Sequence, residues 1–191
     1  EAGQAYLPAC LYTPERCLIS DFVAHSDIQG KADYIQSRRT PLQLAQDAKR
    51  NLGLRESREA ILFGTAAMDQ HMADPTEGFF IKSPKSFLGA SGLREDMVNY
   101  FEDVVTAMLL EIKQRAENFL QERITGAVIG RPVNFQGINS DISNQQAIKI
   151  LHASASRVGF SHIEFLYEPL AAGFDFERTL TEDKTVLVVD I

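Results

Sequence analysis

The chain has 191 residues, of which 45% are hydrophobic and 24% charged, as is ordinary for a globular protein. Its net charge of −7 disfavours non-specific binding to nucleic acid or to an anionic membrane, and no apolar run approaches the ~20 residues of a membrane-spanning helix. Two cysteines and four scattered histidines disfavour a Cys/His metal site and suit a reducing cytoplasm, which is the predicted location.

The first half of the chain contains few clear patterns. A strand is predicted within residues 5–12, interrupted by Pro8 because proline cannot donate to a ladder. The pair Arg38-Arg39 is interpreted as solvated surface. Thr40-Pro41 predicts the start of a helix that ends near Gly53. Residues 58–71 fit either a strand or a helix, and both alternatives stay open.

Residues 79–92 combine an aromatic start with two lysines and two glycines. Lys82 and Lys85 stand before Gly89 and Gly92, and lysines beside a glycine-rich turn can contact a phosphate. The simpler interpretation is a pair of surface lysines, because lysine is mostly exposed.

The clearest helix is predicted from Arg94 to Leu120, where apolar residues recur every three or four positions. Acids at Glu95 and Asp96 favour the positive end of the helix dipole. The methionines and phenylalanines of this stripe are interpreted as core.

A short apolar strand, Ala127 to Ile129, organises the rest of the sequence. Gly130 and Pro132 end it, and helices are predicted before and after it. Helix–strand–helix alternation predicts an α/β fold with a covered sheet. Ligands of such sheets bind beyond the carboxyl ends of the strands, so residues 130–132 are candidate site residues, unless the run is only a buried core strand with its turn.

The last third repeats this alternation. Ser143 to Gln146 matches a capping box for a helix that ends at Gly159. A strand over 163–167 leads into Glu168, interpreted either as a helix-capping acid or as a site carboxylate. A final strand is predicted over 185–191, where Asp190 is either a turn residue or a magnesium-binding acid.

These motifs together resemble those of the ATPase domain of heat-shock-70 chaperones, and the divergent bacterial members of that family most of all. The resemblance covers residues 79–191 and is carried by four segments in matching order: Lys85-Ser86-Phe87-Leu88-Gly89, Ala127-Val128-Ile129-Gly130-Arg131-Pro132-Val133-Asn134-Phe135, Tyr167-Glu168-Pro169-Leu170-Ala171-Ala172 and Val186-Leu187-Val188-Val189-Asp190-Ile191.

The resemblance implies an actin-like, ribonuclease-H-like ATPase lobe that binds ATP and magnesium. Asp190 would hold magnesium through water, Glu168 would lie near the metal and the attacking water, and Lys85 would contact the transferred phosphate. Lys82 is the competing match for that lysine. Pro132 would be the switch proline that reports the nucleotide state.

The implied domain organisation is a first lobe over 1–184, with an inserted or peripheral subdomain at about 13–93, and the truncated first strand of a second lobe at 185–191. Both phosphate loops of the family would lie outside the sequence, so the lobe is expected to be incomplete at both ends and this piece to be an inactive fragment. The intact parent would bind and hydrolyse ATP, and further domains would bind unfolded peptide or co-chaperones.

Two departures from the family stand out. Residues 139–151 lack the arginine that relays the nucleotide signal, and Gln145 is the nearest local match. The family's first two central strands would precede Glu1, so residues 185–191 are expected to fill the vacant place beside residues 127–129, or two chains to pair there. An actin-like filament protein and a small-molecule kinase of the same superfamily remain alternative functions.

Overall fold

The computed structural model describes residues 7–138, 140–182 and 184–188. The elements alternate between helices and short strands, in the order β1 Cys10–Thr13, α1 Cys17–His25, α2 Lys31–Ser37, α3 Arg39–Leu52, β2 Leu62–Phe63, α4 Thr65–Ala73, β3 Phe79–Lys82, α5 Glu95–Leu120, β4 Gly126–Arg131, α6 Ser140–Arg157, β5 His162–Tyr167 and α7 Glu168–Glu177. Two 3₁₀ helices, Ser57–Ala60 and Pro84–Phe87, precede β2 and follow β3. The protein is therefore of the mixed α/β class that the sequence predicts.

The first sheet is antiparallel, with strand order β2-β1-β3. Its central strand β1 begins at Cys10, and residues 5 and 6 of the predicted strand lie outside the described residues. Pro8 lies before β1 in a turn, where the Cys10 amide donates to the Pro8 carbonyl at 2.8 Å. All four residues of β1 are buried. The predicted helix from residue 40 is confirmed as α3, and Gly53 ends it with a left-handed φ of +67°.

Residues 58–71, for which either a strand or a helix was predicted, contain both. A 3₁₀ turn and the two-residue strand β2 are followed by α4, which packs against β1. No 3.6-residue stripe runs through this segment, because it changes structure three times within seventeen residues, 57–73.

Helix α5 confirms the predicted helix over 94–120 to within one residue and lies between the two halves of the fold. Val104 and Ala107 pack into the core beneath the first sheet. Val105, on another face of the same helix, packs into a second core with Leu88 and Phe135.

The interpretation of Arg38 as a surface residue is wrong. Its side chain is buried, and its Nε donates to the Asp103 carboxylate of α5 at 3.0 Å. Ser20 donates to the same carboxylate at 2.6 Å. Burial raises the pKa of Asp103, and the Arg38 guanidinium and the Ser20 hydroxyl partly offset that rise. The pair is retained inside the protein because each charge is paired and hydrogen-bonded.

The second sheet consists of β4 and β5, which run parallel with Arg131 opposite Tyr167. Ala127 and Ile129 pack against α6 residues, as expected of a core strand. Val128 points away from α6 and is 66% exposed, so the prediction of a fully buried, covered strand is wrong for this face. Among the residues that the structure describes, no third strand covers the free edge of β4.

Three boundaries near the end of the chain can be compared with the predictions. Gly159 has the predicted left-handed backbone, with φ of +94°, and β5 and α7 lie where expected. The capping box is wrong, because α6 begins at Ser140 and Ser143 lies inside its first turn. Residues 184–188 form no strand and do not fill the place beside β4, and residues 189–191, the rest of the predicted strand, lie outside the described residues. In the described ranges, no helix has the length and apolar character needed to cross a membrane.

Candidate functional site at the ends of the parallel strands

Lys85 and Glu168 meet at the carboxyl ends of β4 and β5. The Lys85 ammonium donates to a Glu168 carboxylate oxygen in a short ion pair and to the Gly130 carbonyl at 3.1 Å. The two side chains are separated by 83 positions in the sequence. Three of the predicted site segments are therefore brought together by the fold.

Strand β5 leads directly into Glu168, and β4 provides the Gly130 carbonyl that Lys85 contacts. Because β4 and β5 are parallel, their carboxyl ends lie at the same edge, and Glu168 follows the last residue of β5 as the first residue of α7. Gly130 leaves space for the carboxylate: a Cβ at this position would lie 3.3 Å from Glu168 Cγ. Pro169 occupies the first turn of α7, where its missing N–H is not needed.

Lys85 comes from the 3₁₀ turn after β3. Ser83 enters this turn with a left-handed φ of +50°, and Pro84 follows with the backbone already restrained. The Lys85 side chain is 41% exposed and that of Glu168 is 36% exposed. Both charges thus remain accessible to solvent and to an incoming ligand.

Arg131 fixes the turn at Pro132. Its Nε donates to the Pro132 carbonyl at 3.1 Å and its guanidinium donates to the Val133 carbonyl at 3.0 Å. The guanidinium also stacks over the ring of Tyr167, 4.9 Å from its centre. The predicted switch proline is therefore next to the Lys85 contact at Gly130, in a turn that is tied to the end of β5.

Lys82 lies elsewhere. It ends β3, opposite Cys10, and borders a cavity between β3 and α4. The structure brings Lys85 to Glu168 and gives Lys82 no such contact among the described residues. Asp190 lies outside the described residues, so its predicted place in the site stays a prediction.

Gln146 was not predicted to take part in the site. Its Nε2 donates to the Leu88 carbonyl at 2.8 Å and to the Ala90 carbonyl at 3.0 Å, on either side of Gly89. One amide of α6 therefore holds the segment that follows Lys85. The sequence signal assigned to Gln146 was a capping box, which is a local contact, whereas its actual partners lie 56 and 58 positions away.

Two glycines allow this crossing to be close. A Cβ on Gly89 would lie 2.6 Å from the Gln136 carbonyl, and a Cβ on Gly137 would lie 2.6 Å from the Gly89 carbonyl. Both distances are shorter than real Cβ contacts, so neither position accepts a side chain without a backbone shift. The hydroxyl of Ser143 is buried beside Gly137 and has no hydrogen-bond partner in the described structure.

The arrangement suits the binding of an anion next to a carboxylate. Lysine offers a compact positive charge with three donors, and two of these are occupied by Glu168 and Gly130. A phosphate oxygen approaching Lys85 would compete with the Glu168 carboxylate for the ammonium. A carboxylate released in this way is free to orient water or to bind a hydrated cation.

The comparison with protein-family models finds no match for this chain. Across residues 7–138, 140–182 and 184–188, the side chains of histidine, cysteine, aspartate and glutamate form no group of three or more that could hold a metal ion. The residues of the site are therefore the basis for a functional proposal.

Proposed function

We propose that the chain is part of the nucleotide-binding lobe of a heat-shock-70-like ATPase, with Lys85 and Glu168 in the phosphate site. The observation that supports this proposal is their ion pair at the carboxyl ends of β4 and β5. The sequence resemblance independently assigns these two residues to one site.

Each residue has a role that follows from its chemistry. Lys85 would neutralise charge on the transferred phosphate, because phosphoryl transfer is catalysed mainly by positioning and by charge stabilisation. Glu168 would orient the attacking water. The turn that Arg131 holds at Pro132 would follow the movement of the Gly130 carbonyl when Lys85 leaves it.

ATP and magnesium are the proposed ligands, and the donors fit them. The Lys85 ammonium is suited to phosphate, and the Glu168 carboxylate is an oxygen donor of the kind magnesium accepts, directly or through water. Magnesium would supply neutralisation of the phosphate charge, with Asp190 as its proposed water-mediated holder. The proposed partners of the intact parent are unfolded peptide and co-chaperones.

The test is ATP hydrolysis and ATP calorimetry on the intact parent protein. Lys85→Ala should lower the rate of hydrolysis by about 10²–10³-fold, as for removal of one preorganised donor. Glu168→Gln should lower the rate while nucleotide still binds. Lys82→Ala is the matched control, since it removes a lysine three positions away that does not contact Glu168, and it should leave the rate unchanged.

Absence of nucleotide binding by the intact parent would overturn the proposal. So would a loss of activity in Lys82→Ala as large as that in Lys85→Ala. Asp190→Ala, measured in the same way, tests whether the last predicted residue belongs to the site.

A further inference from the structure

A small cavity of about 170 Å³ lies between α4, β3 and the segment before β1, and its lining includes neither Lys85 nor Glu168. Its lining includes an imidazole and two thioethers, from His71, Met68 and Met72. Met68 is 39% exposed and Met72 is 66% exposed, although methionine is an apolar residue that is usually buried. Core packing does not account for these side chains.

The three residues lie on one face of α4. Positions separated by three and four residues are neighbours on a helix, with about 5–6 Å between their Cβ atoms. Met68 lies three residues before His71 and four before Met72, and methionine has three rotatable bonds that let its sulfur reach a shared point. Ala67, which precedes His71 by four residues, is fully buried and anchors the helix beside this face.

The ring of His71 is held in place and is available to a ligand. It stacks in parallel on Phe80, with the ring centres 4.4 Å apart. In the part of the chain that the structure describes, neither ring nitrogen of His71 makes a hydrogen bond or an ion pair. An imidazole with a fixed plane and an unoccupied nitrogen is the group that a metal ion requires.

The donor set selects the type of ion. Thioether and imidazole groups are neutral and soft, and thioether sulfur favours Cu(I), whereas magnesium and calcium require oxygen. Lys82 borders the same cavity, and its positive charge disfavours a divalent ion more than a monovalent one. Cys10 is also in the lining, but its thiol is buried and donates to the Gly64 carbonyl at 3.2 Å, so it is not needed as a ligand.

We propose that Met68, His71 and Met72 form a binding site for a soft monovalent metal ion, Cu(I). The site is separate from Lys85 and Glu168, and it does not depend on the proposed ATPase function. No change in oxidation state is part of the proposal, because the ion binds as Cu(I) and leaves as Cu(I).

The chain provides its own internal control for the test. It contains four methionines, of which Met68 and Met72 belong to the proposed site and Met97 and Met108 belong to α5. With ¹³C-methyl-labelled methionine, one equivalent of Ag(I), a redox-stable substitute for Cu(I), should shift the methyl signals of Met68 and Met72 only. Competition against a coloured Cu(I) chelator should then show Cu(I) binding at the same stoichiometry, and Zn²⁺ should give no shift.

Variants distinguish the site from general thiol binding. Met72→Leu keeps the apolar bulk and His71→Phe keeps the ring stack, yet each removes one donor and should abolish the Met68 shift. Met108→Leu is the matched control and should bind as the original chain does. The half-buried Cys17 is the competing thiol, so the Cys17→Ser variant should retain the shifts. Unshifted Met68 and Met72 signals, shifts that survive His71→Phe, or binding that disappears in Cys17→Ser would each overturn the proposal.

Discussion

Arg38 and Arg39 are adjacent in the sequence and have opposite environments. Arg38 is buried against Asp103 and stacks over Tyr34, with 5.1 Å from its guanidinium carbon to the ring centre. Arg39 is exposed at the start of α3. The buried Arg38 links the α2–α3 junction to α5, because a buried arginine requires a carboxylate partner and Asp103 of α5 provides it.

At this scale we expect Asp103→Ala to be strongly destabilising. The variant leaves the Arg38 charge buried without its main partner, and breaking such a pair typically costs about 3–5 kcal/mol in the free energy of unfolding. Urea unfolding followed by circular dichroism measures the loss. Arg39→Ala is the control and should change stability by no more than about 0.5 kcal/mol, as is usual for exposed positions.

A loss for Asp103→Ala as small as that of the control would show that the pair does not hold the helices together. The double variant Arg38→Met with Asp103→Leu separates the pairing from the burial. Since it removes both charges and keeps apolar volume, it should recover much of the stability that Asp103→Ala loses.

The residues of the candidate site illustrate what a sequence can reveal at this scale. Lys85 and Glu168 could be singled out as candidates because each belongs to a short motif with glycine or proline beside it, and such motifs are local. Arg38 and Gln146 were not predictable in their roles, because their partners are distant in sequence and nothing next to them indicates burial. Side-chain chemistry determines which contacts a residue can make, and the tertiary fold determines which of these contacts it does make.

At the scale of elements, α6 supports the lysine segment through Gln146. We expect Gln146→Leu to leave α6 folded but to loosen the turn from Lys85 to Ala90, since both carbonyls beside Gly89 lose their donor. Amide hydrogen exchange should be faster at Leu88 and Ala90, whose N–H groups close this turn onto the Lys85 and Phe87 carbonyls.

Gln145→Leu is the matched control, because Gln145 is the exposed neighbour on the same helix. It should leave the exchange rates of the turn unchanged. Equal acceleration in both variants would mean that α6 itself has been weakened, and unchanged rates in Gln146→Leu would show that the two hydrogen bonds do not restrain the segment.

Long elements were predicted more accurately than their ends. The stripe of α5 repeats over seven turns, so its bounds were nearly correct, whereas the start of α6 was misplaced by a capping motif that the protein does not use. Residues 184–188 have a strand-like composition but form no strand, because a strand requires a partner and the described chain offers none there.

At the scale of the whole molecule, β4 has an edge that no strand of the described residues covers. We propose that two chains pair through this edge, since an unpaired strand edge with an exposed Val128 favours edge-to-edge contact. Sedimentation velocity should show an average mass that rises with concentration. Val128→Lys should reduce this rise, because a charge on the strand disfavours edge-to-edge contact. Glu164, opposite residue 128 on β5, can pair with the introduced lysine, so the fold of the single chain should be retained.

Leu187→Lys is the control for a general loss of hydrophobic surface. Leu187 is 86% exposed and lies outside both sheets, so its replacement should leave the association unchanged. A chain that stays monomeric at all concentrations, or one whose association is reduced equally by both variants, would contradict pairing through β4.

The position of α5 has a consequence for how this protein can vary. The adjacent residues Val104 and Val105 pack into two different cores, so each is constrained by a separate set of contacting residues. A change that suits one core cannot be compensated by rotating the helix, because rotation would disturb the other. We therefore expect mutational scanning to find few neutral substitutions along the middle of α5, and drift between related chains to accumulate in the elements that surround it.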